Sequence, residues 1–278
     1  MEDRLVASQR IAAARPVPIL MYHAVTPTPA PAVHGLSVSP QAFADQMRLL
    51  SERGFTPVTT DRLASAWRGG SPLPYRPVLI TFDDGYQGVH RHALPVLRAY
   101  GFTATVFVTT GWLPGRHEIH GAALDTMLSW DEVCELAEQG VEIGGHSHSH
   151  PQLDQLPNRE MRYEVESCEE VIAEQLGRSP TSFAYPYGYS DRQVRQVVRA
   201  AGFTQSVAVG NDLAGPRQGP FALRRLTVRR RTGLEEFARL VEGRAIGRTF
   251  VVDRTLTKGY AIVRGSRRLI RKTAGSKP

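Results

Sequence analysis

Three histidines stand at alternate positions in the heptapeptide GGHSHSH (144–150): His146, His148 and His150. Imidazole is the commonest side-chain metal ligand, and three rings so close together point first to metal binding. The four-residue spacing of His146 and His150 matches one helical turn. A loop entering a helix would therefore put those two rings on one side and His148 on the other. A strand would align all three, but Gly144-Gly145 before them and Pro151 after them argue against one. Two histidines and one carboxylate around a divalent ion leave positions open for water and substrate, which is the pattern of a catalytic metal.

A carboxylate is available in TFDDG (81–85). On an extended strand Asp83 and Asp84 would point to opposite faces. At a turn both can line one cavity, one carboxylate on the metal and the other free as a base. Taken alone, Asp-Asp-Gly is also an ordinary turn. A third polar cluster, YPYGYS (185–190), follows later in the chain.

These clusters need elements to bring them together. VPILMYH (17–23) reads as a short buried strand, followed by a helix in SPQAFADQMRLLSERG (39–54). Ser39 is the N-cap, Pro40 the first helical residue, Phe43, Met47 and Leu50 the apolar face and Gly54 the stop. The alternation continues through TATVFVTT (103–110), WDEVCELAEQG (130–140), VEIGGH (141–146), TSFAYPYG (181–188) and DRQVRQVVRAAG (191–202), and ends with TGLEEFARLVEG (232–243). Strands alternating with helices imply an α/β protein with a parallel sheet, and about seven such units favour closure into a barrel. Barrel chemistry sits at the C-terminal strand ends, where all three polar clusters fall, so segments distant in sequence converge in space. The Pro-rich TPTPAPAVHG (26–35) is placed to form part of the rim.

With these motifs in view, the chain resembles the polysaccharide deacetylases, the NodB-homology domains of carbohydrate esterase family four. TFDDGY (81–86), the H-S-x-x-H of HSHSH (146–150) and FAYPYG (183–188) match the family's first three motifs in order. ILMYHAV (19–25), LSWDEVCELAEQGVEIGGH (128–146) and FALRRLTV (221–228) extend the likeness across residues 17–243. FAYPYG marks a subgroup within the family. The resemblance implies a distorted (β/α)7 barrel. It implies a divalent metal on Asp84, His146 and His150, usually zinc, with cobalt or another divalent ion as alternatives. His148 falls on a variable position and is not expected to be a ligand. Asp83 matches the catalytic base, and Pro186 and Tyr187 the segment that meets substrate, a backbone N–H near Tyr187 stabilising the oxyanion. The implied reaction is hydrolysis of an N-acetyl or similar N-acyl group of an amino sugar, giving the free amine and acetate.

Two departures qualify the likeness. The family often carries an arginine two positions before the motif's proline, to orient the base; here that position is Ala184, and Arg225 in ALRRLTV is the substitute candidate. The C-terminal L-x-H that supplies the acid is missing, since no histidine follows His150. The candidates for the acid are His23, His117, His120, His148 or a water on the metal, with His23 favoured by its place at a strand end. The missing histidine leaves a second reading open: a catalytically weak relative that binds metal and carbohydrate.

The net charge of +7 is unevenly distributed. From Arg244 onward ten Lys/Arg face one acid, Asp253, so residues 1–243 carry −2 and the tail +9. This divides the chain into an extension (1–16), a catalytic domain (17–243) and a basic tail (244–278). The tail suggests an anionic lipid or a phosphate-bearing substrate, whereas the acidic body and the lack of nucleic-acid-binding motifs exclude nucleic acid as an expected partner. No apolar run approaches the ~20 residues that span a bilayer. The N-terminus lacks a secretory pattern, and Cys134 and Cys168 read as reduced core residues. The expected location is cytoplasmic, with the tail able to rest on a membrane surface.

Overall fold

A computed structural model describes residues 15–251. Its centre is a parallel sheet of eight strands: β1 (Ile19–Tyr22), β2 (Thr56–Pro57), β3 (Pro77–Phe82), β4 (Thr105–Val108), β5 (Glu142–Gly145), β6 (Ser182–Ala184), β7 (Gln205–Val207) and β8 (Leu226–Thr227). Seven strands form one path, β7-β6-β5-β4-β3-β1-β8, and short β2 pairs with the start of β3. The path curls toward closure, and a parallel bridge between Val207 and Leu223 links β7 to the segment entering β8. The seven-stranded distorted barrel expected from the sequence is the fold observed.

Helices cover the outside: α1 (Pro40–Glu52), α2 (Thr60–Trp67), α3 (Leu94–Ala99), α4 (Trp130–Glu138), α5 (Asn158–Leu176), α6 (Arg192–Ala200), α7 (Leu234–Val241) and α8 (Ile246–Thr249). Their ends follow local chemistry. The Ser39 hydroxyl accepts from Ala42 N–H to start α1, a reciprocal Ser129–Glu132 capping box starts α4, and Gly177 in the left-handed conformation (φ 67°) stops α5.

Side-chain alternation on β3 places the site. Val78, Ile80 and Phe82 pack outward in the main core beneath the helices, while Leu79 packs inside the barrel with Ile19, Phe107, Val207 and Leu223. The inward series continues through Thr81 to Asp83, so the base candidate tops the column of interior side chains. Gly144 on β5 is obligatory, because a Cβ there would lie 2.7 Å from the Phe107 ring and 2.6 Å from Ser182 Oγ. Ile246 and Phe250, just past residue 243, are buried in the main core. The rest of the basic tail, 252–278, lies outside the described residues, as do residues 1–14. No helix among the described residues is long and apolar enough to cross a membrane.

Candidate active site

The C-terminal ends of β3 and β5 each deliver their chemistry through a break in regular backbone. Asp83 N–H still donates to Tyr22 O, as in the sheet. Asp84 then takes a left-handed conformation (φ 74°), and Gly85 follows at φ 92°. This turn brings both carboxylates to one cavity. After β5 the chain bends, with Ser147 (φ 65°) and His150 (φ 63°) left-handed. The rings of His146 and His150 therefore meet, centroids 4.9 Å apart, through a tight bend instead of the helical turn read from their spacing. His148 is directed away, its Nδ1 2.9 Å from Thr110 Oγ1.

One ligand atom from each of Asp84, His146 and His150 lies within 4.8 Å of the others. Asp84 Oδ1 is 3.4 Å from Nε2 of both histidines, and although buried it has no hydrogen-bond partner. Two ligand atoms at about 2.1 Å from a tetrahedral ion stand about 3.4 Å apart, so the spacing suits a divalent metal. His146 Nδ1–H donates to Ala184 O at 2.7 Å, which turns Nε2 toward Asp84. Burial raises the Asp84 pKa, but the imidazoles of His146, His23 and His150 around it outweigh burial and hold the carboxyl well below its usual range. Burial, with the charge of His146, lowers His150 to about 4. Both groups thus rest in the states that bind a metal, carboxylate and neutral imidazole.

Asp83 is held separately. Arg225, fully buried, donates from Nη1 to Asp83 Oδ1 at 2.6 Å and from Nη2 to Oδ2 at 2.7 Å. It also reaches Thr81 Oγ1 at 3.2 Å and Ala208 O at 3.3 Å, so its guanidinium fills the seam between β7 and β8. Burial pushes the Asp83 carboxyl up, while Arg225, then His146, pull it below its ordinary value, leaving an oriented carboxylate.

A cavity of about 450 Å³ opens above these groups. Buried polar atoms without hydrogen-bond partners collect on its wall: His23 Nδ1, Asp84 Oδ1, the Tyr86 hydroxyl and the Trp112 indole N–H. Native proteins seldom leave such groups unpaired, so they mark where a ligand's polar atoms belong. Of the four histidines considered for the acid, His23 alone lines the cavity; His117 meets Glu174, His120 meets Glu118, and His148 is turned away. Burial lowers the His23 pKa while Asp84 and Asp83 draw it upward. Tyr187, half exposed and left-handed (φ 60°), packs tilted against His150 with centroids 4.8 Å apart, and the preceding Pro186 is buried. The rim loops are tied together where Ala30 N–H donates to Asp125 Oδ2 at 2.9 Å.

Three contributors escaped the sequence reading. Trp112 lies in no motif, and Tyr86 closes TFDDGY without having been given a role. Glu164 secures the histidine bend, its Oε2 accepting from His148 N–H at 3.0 Å and Ser149 N–H at 2.7 Å and its Oε1 accepting from the Ser149 hydroxyl. Its signal was available: a carboxylate among Met161, Val165, Cys168 and Ile172 on the buried face of α5.

The polysaccharide deacetylase family model matches residues 70–206. YxkH of Bacillus subtilis (strain 168), named for polysaccharide deacetylation, is 26% identical over 212 residues, covering 76% of this chain and 71% of its own length. The poly-β-1,6-N-acetyl-D-glucosamine N-deacetylase of Escherichia coli (strain K12) is also 26% identical, over 240 residues, but this chain spans only 36% of its length. The Streptococcus pyogenes deacetylase PplD shares the fold with a TM-score of 0.73 at 23% identity, covering 82% of this chain and 99% of that one. The family model and curated relatives make this chain similar to the polysaccharide deacetylases, hydrolases that act on carbon–nitrogen bonds other than peptide bonds, and the solved structure shares its fold.

Proposed function

We propose that this protein removes an N-acetyl, or similar N-acyl, group from an amino sugar in a saccharide or glycoconjugate. The observation that carries the reading is the adjacency of two differently held carboxylates: Asp84 aimed at His146 and His150, and Asp83 clamped by Arg225. Relatives named for N-acetylglucosamine polymers support an N-acetylated sugar as substrate class.

Asp84, His146 and His150 are assigned as the metal ligands, with zinc as the proposed ion and cobalt as an alternative. Held there, a divalent ion polarises an acyl carbonyl and lowers the pKa of water. Asp83 accepts the proton of the attacking water. Arg225 fixes both Asp83 oxygens through a planar fork, so the base stays ionised and oriented. The backbone around Pro186 and Tyr187 is assigned to the developing oxyanion. His23 is assigned to protonate the departing amine; its unpartnered Nδ1 in the cavity supplies the acid whose absence had favoured a weak binding relative. The catalytic unit is assigned to residues 17–243, with the start of the basic tail anchored by Ile246 and Phe250. Two free cysteines fit a cytoplasmic location.

The test is acetate release from N-acetylglucosamine oligomers by metal-stripped protein, with and without zinc or cobalt, beside Asp83→Asn. The expected result is metal-dependent release that the substitution abolishes. One metal per chain with no release from any N-acylated sugar would support the binding relative instead.

A further inference from the structure

The catalytic cavity changes character from floor to mouth. Its floor holds Asp83, Asp84 and His146, which are 2%, 5% and 2% exposed. Above them stands an apolar wall built by two loops. The loop after β1 contributes Ala32, Val33 and Leu36, and the loop after β4 contributes Ala122 and Leu124. Leu124 is 46% exposed, which places it at the mouth. Among the described lining residues, Ser149, Thr227 and Arg229 supply polar groups elsewhere.

Residues 16–44 contain no Asp, Glu, Lys or Arg, although 22% of the chain is charged. Burial accounts for this along β1 but not in the loop behind it, where Pro27, Thr28, Pro31 and Ala32 face solvent. Exposed segments ordinarily carry charged side chains, so a charge-free loop on a cavity rim presents a surface for something apolar. The wall is also preformed. Pro27, Pro29 and Pro31 restrict the backbone of the first loop. Val38 N–H donates to Ala24 O at 2.9 Å and closes that loop onto the end of β1. The clip from Ala30 to Asp125 joins it to the second loop, which Met127 pins by bridging Tyr86. Side chains already held in place lose little entropy when a ligand covers them. The side chains of Ala32, Val33, Leu36, Ala122 and Leu124 offer a sugar hydroxyl no hydrogen bond, so desolvating one against them costs free energy. Hydrocarbon placed there leaves water favourably.

We propose that this wall binds an alkyl aglycone, so that the substrate is an amphiphile: an N-acylated amino sugar joined to a hydrocarbon group. Depth assigns the hydrocarbon to the aglycone. The acyl carbon must reach the carboxylates on the floor, and Leu124 meets the part of the substrate that projects from the mouth. The inference rests on the deacetylase reading and adds an apolar requirement to it.

The experiment uses the full chain loaded with zinc. It compares kcat/KM for the methyl and hexyl glycosides of N-acetylglucosamine and for the methyl glycoside of N-hexanoylglucosamine, all below micelle-forming concentrations. Wild type and Leu36→Ser/Leu124→Ser are read as the ratio of hexyl to methyl glycoside, with Leu124→Ser alone as the variant to use should the double one fail to fold. Calorimetry measures binding of hexyl glucoside, which has no acyl group to lose, and binding to phosphatidylcholine vesicles is measured alongside. Each methylene moved from water into apolar contact is worth about fourfold in affinity, so two or three give the hexyl glycoside a preference of about tenfold or more. That preference should fall at least about fourfold in the variant, and hexyl glucoside binding should carry a negative heat-capacity change that the variant reduces. Leucine-dependent binding of hexyl glucoside without release of acetate from any substrate would support the wall while removing the deacetylase reading. Equal turnover of methyl and hexyl glycosides by wild type would keep that reading and overturn the wall. A preference for N-hexanoyl in place of the hexyl glycoside would overturn it too, by assigning the wall to the acyl chain. So would a variant that loses only vesicle binding, by assigning the leucines to a membrane surface.

Discussion

Replacing Arg225 with methionine would remove the guanidinium from a position with no solvent access and leave the Asp83 carboxylate, 2% exposed, without its counter-charge. Breaking one side of such a pair costs about 3–5 kcal/mol, because the surviving charge can neither reach water nor find a partner. At about 2–4 °C per kcal/mol for a domain of this size, Tm should fall by roughly 6–20 °C. Asp83→Asn strands the arginine instead and should also destabilise. The double variant Asp83→Asn/Arg225→Met removes both charges, so its loss should be smaller than the sum by at least about 1.5 kcal/mol. Urea unfolding followed by circular dichroism measures all four proteins. The sign of the pH dependence is fixed by the depressed Asp83 pKa in the folded state. Stability from the pair is complete above the unfolded value of about 4 and is lost as pH falls through the folded value. The gap between wild type and Arg225→Met should therefore be full at pH 7 and narrow in acid. In the variant, burial acts on Asp83 with less opposition, so the acid limb of the activity profile should move to higher pH. Additive losses in the double variant, together with an unmoved acid limb, would refute the account of Arg225 as the partner that keeps the base ionised.

Further outcomes are expected at neighbouring positions. Asp84→Asn should weaken zinc binding by two orders of magnitude or more in a competition titration with a chromophoric chelator, because it removes the anionic ligand. His23→Gln should lower kcat on N-acetyl sugars by about 10²–10⁴-fold while slowing an activated aryl acetate far less, since that leaving group needs no proton. Equal losses on both substrates would exclude His23 as the acid. Glu164→Ala should reduce zinc affinity by about 10–100-fold without touching a ligand, by loosening the bend that presents His150; an unchanged titration would show that the bend holds its own shape.

The limits of the sequence reading are themselves physical. Alternating apolar runs pointed to a parallel α/β sheet, because strand ends and helix caps such as Ser39 and Ser129 are local in sequence, while the seven-stranded barrel itself came from the family resemblance. The pairing of His146 and His150 was legible from their spacing, while Asp84 as their third partner came from the family resemblance, and the reason given for the approach of the two rings was incomplete. Their rings meet because Ser147 and His150 adopt left-handed backbone, which histidine and serine do not advertise. The partner that fixes the His146 tautomer is the carbonyl of Ala184, and a carbonyl leaves no trace in residue identity. Ala184 had drawn notice only as the place where an arginine was missing. Arg225 lies 142 residues from Asp83 in sequence, and only family likeness directed attention to it. Glu164 shows the reverse case, a readable signal passed over.

The place of Arg225 also orders events during synthesis. Asp84, His146 and His150 all emerge from the ribosome well before β8, and the strands carrying them can pair with β4 between them. Arg225 arrives last, with the strand that covers the free edge of β1. A nascent chain can thus bring Asp84, His146 and His150 together before Asp83 has its partner, so on the proposed roles the metal site would form before the hydrolytic site. A chain cut short before β8 would keep the Asp84, His146 and His150 cluster beside a free β1 edge and leave Asp83 without the Arg225 clamp.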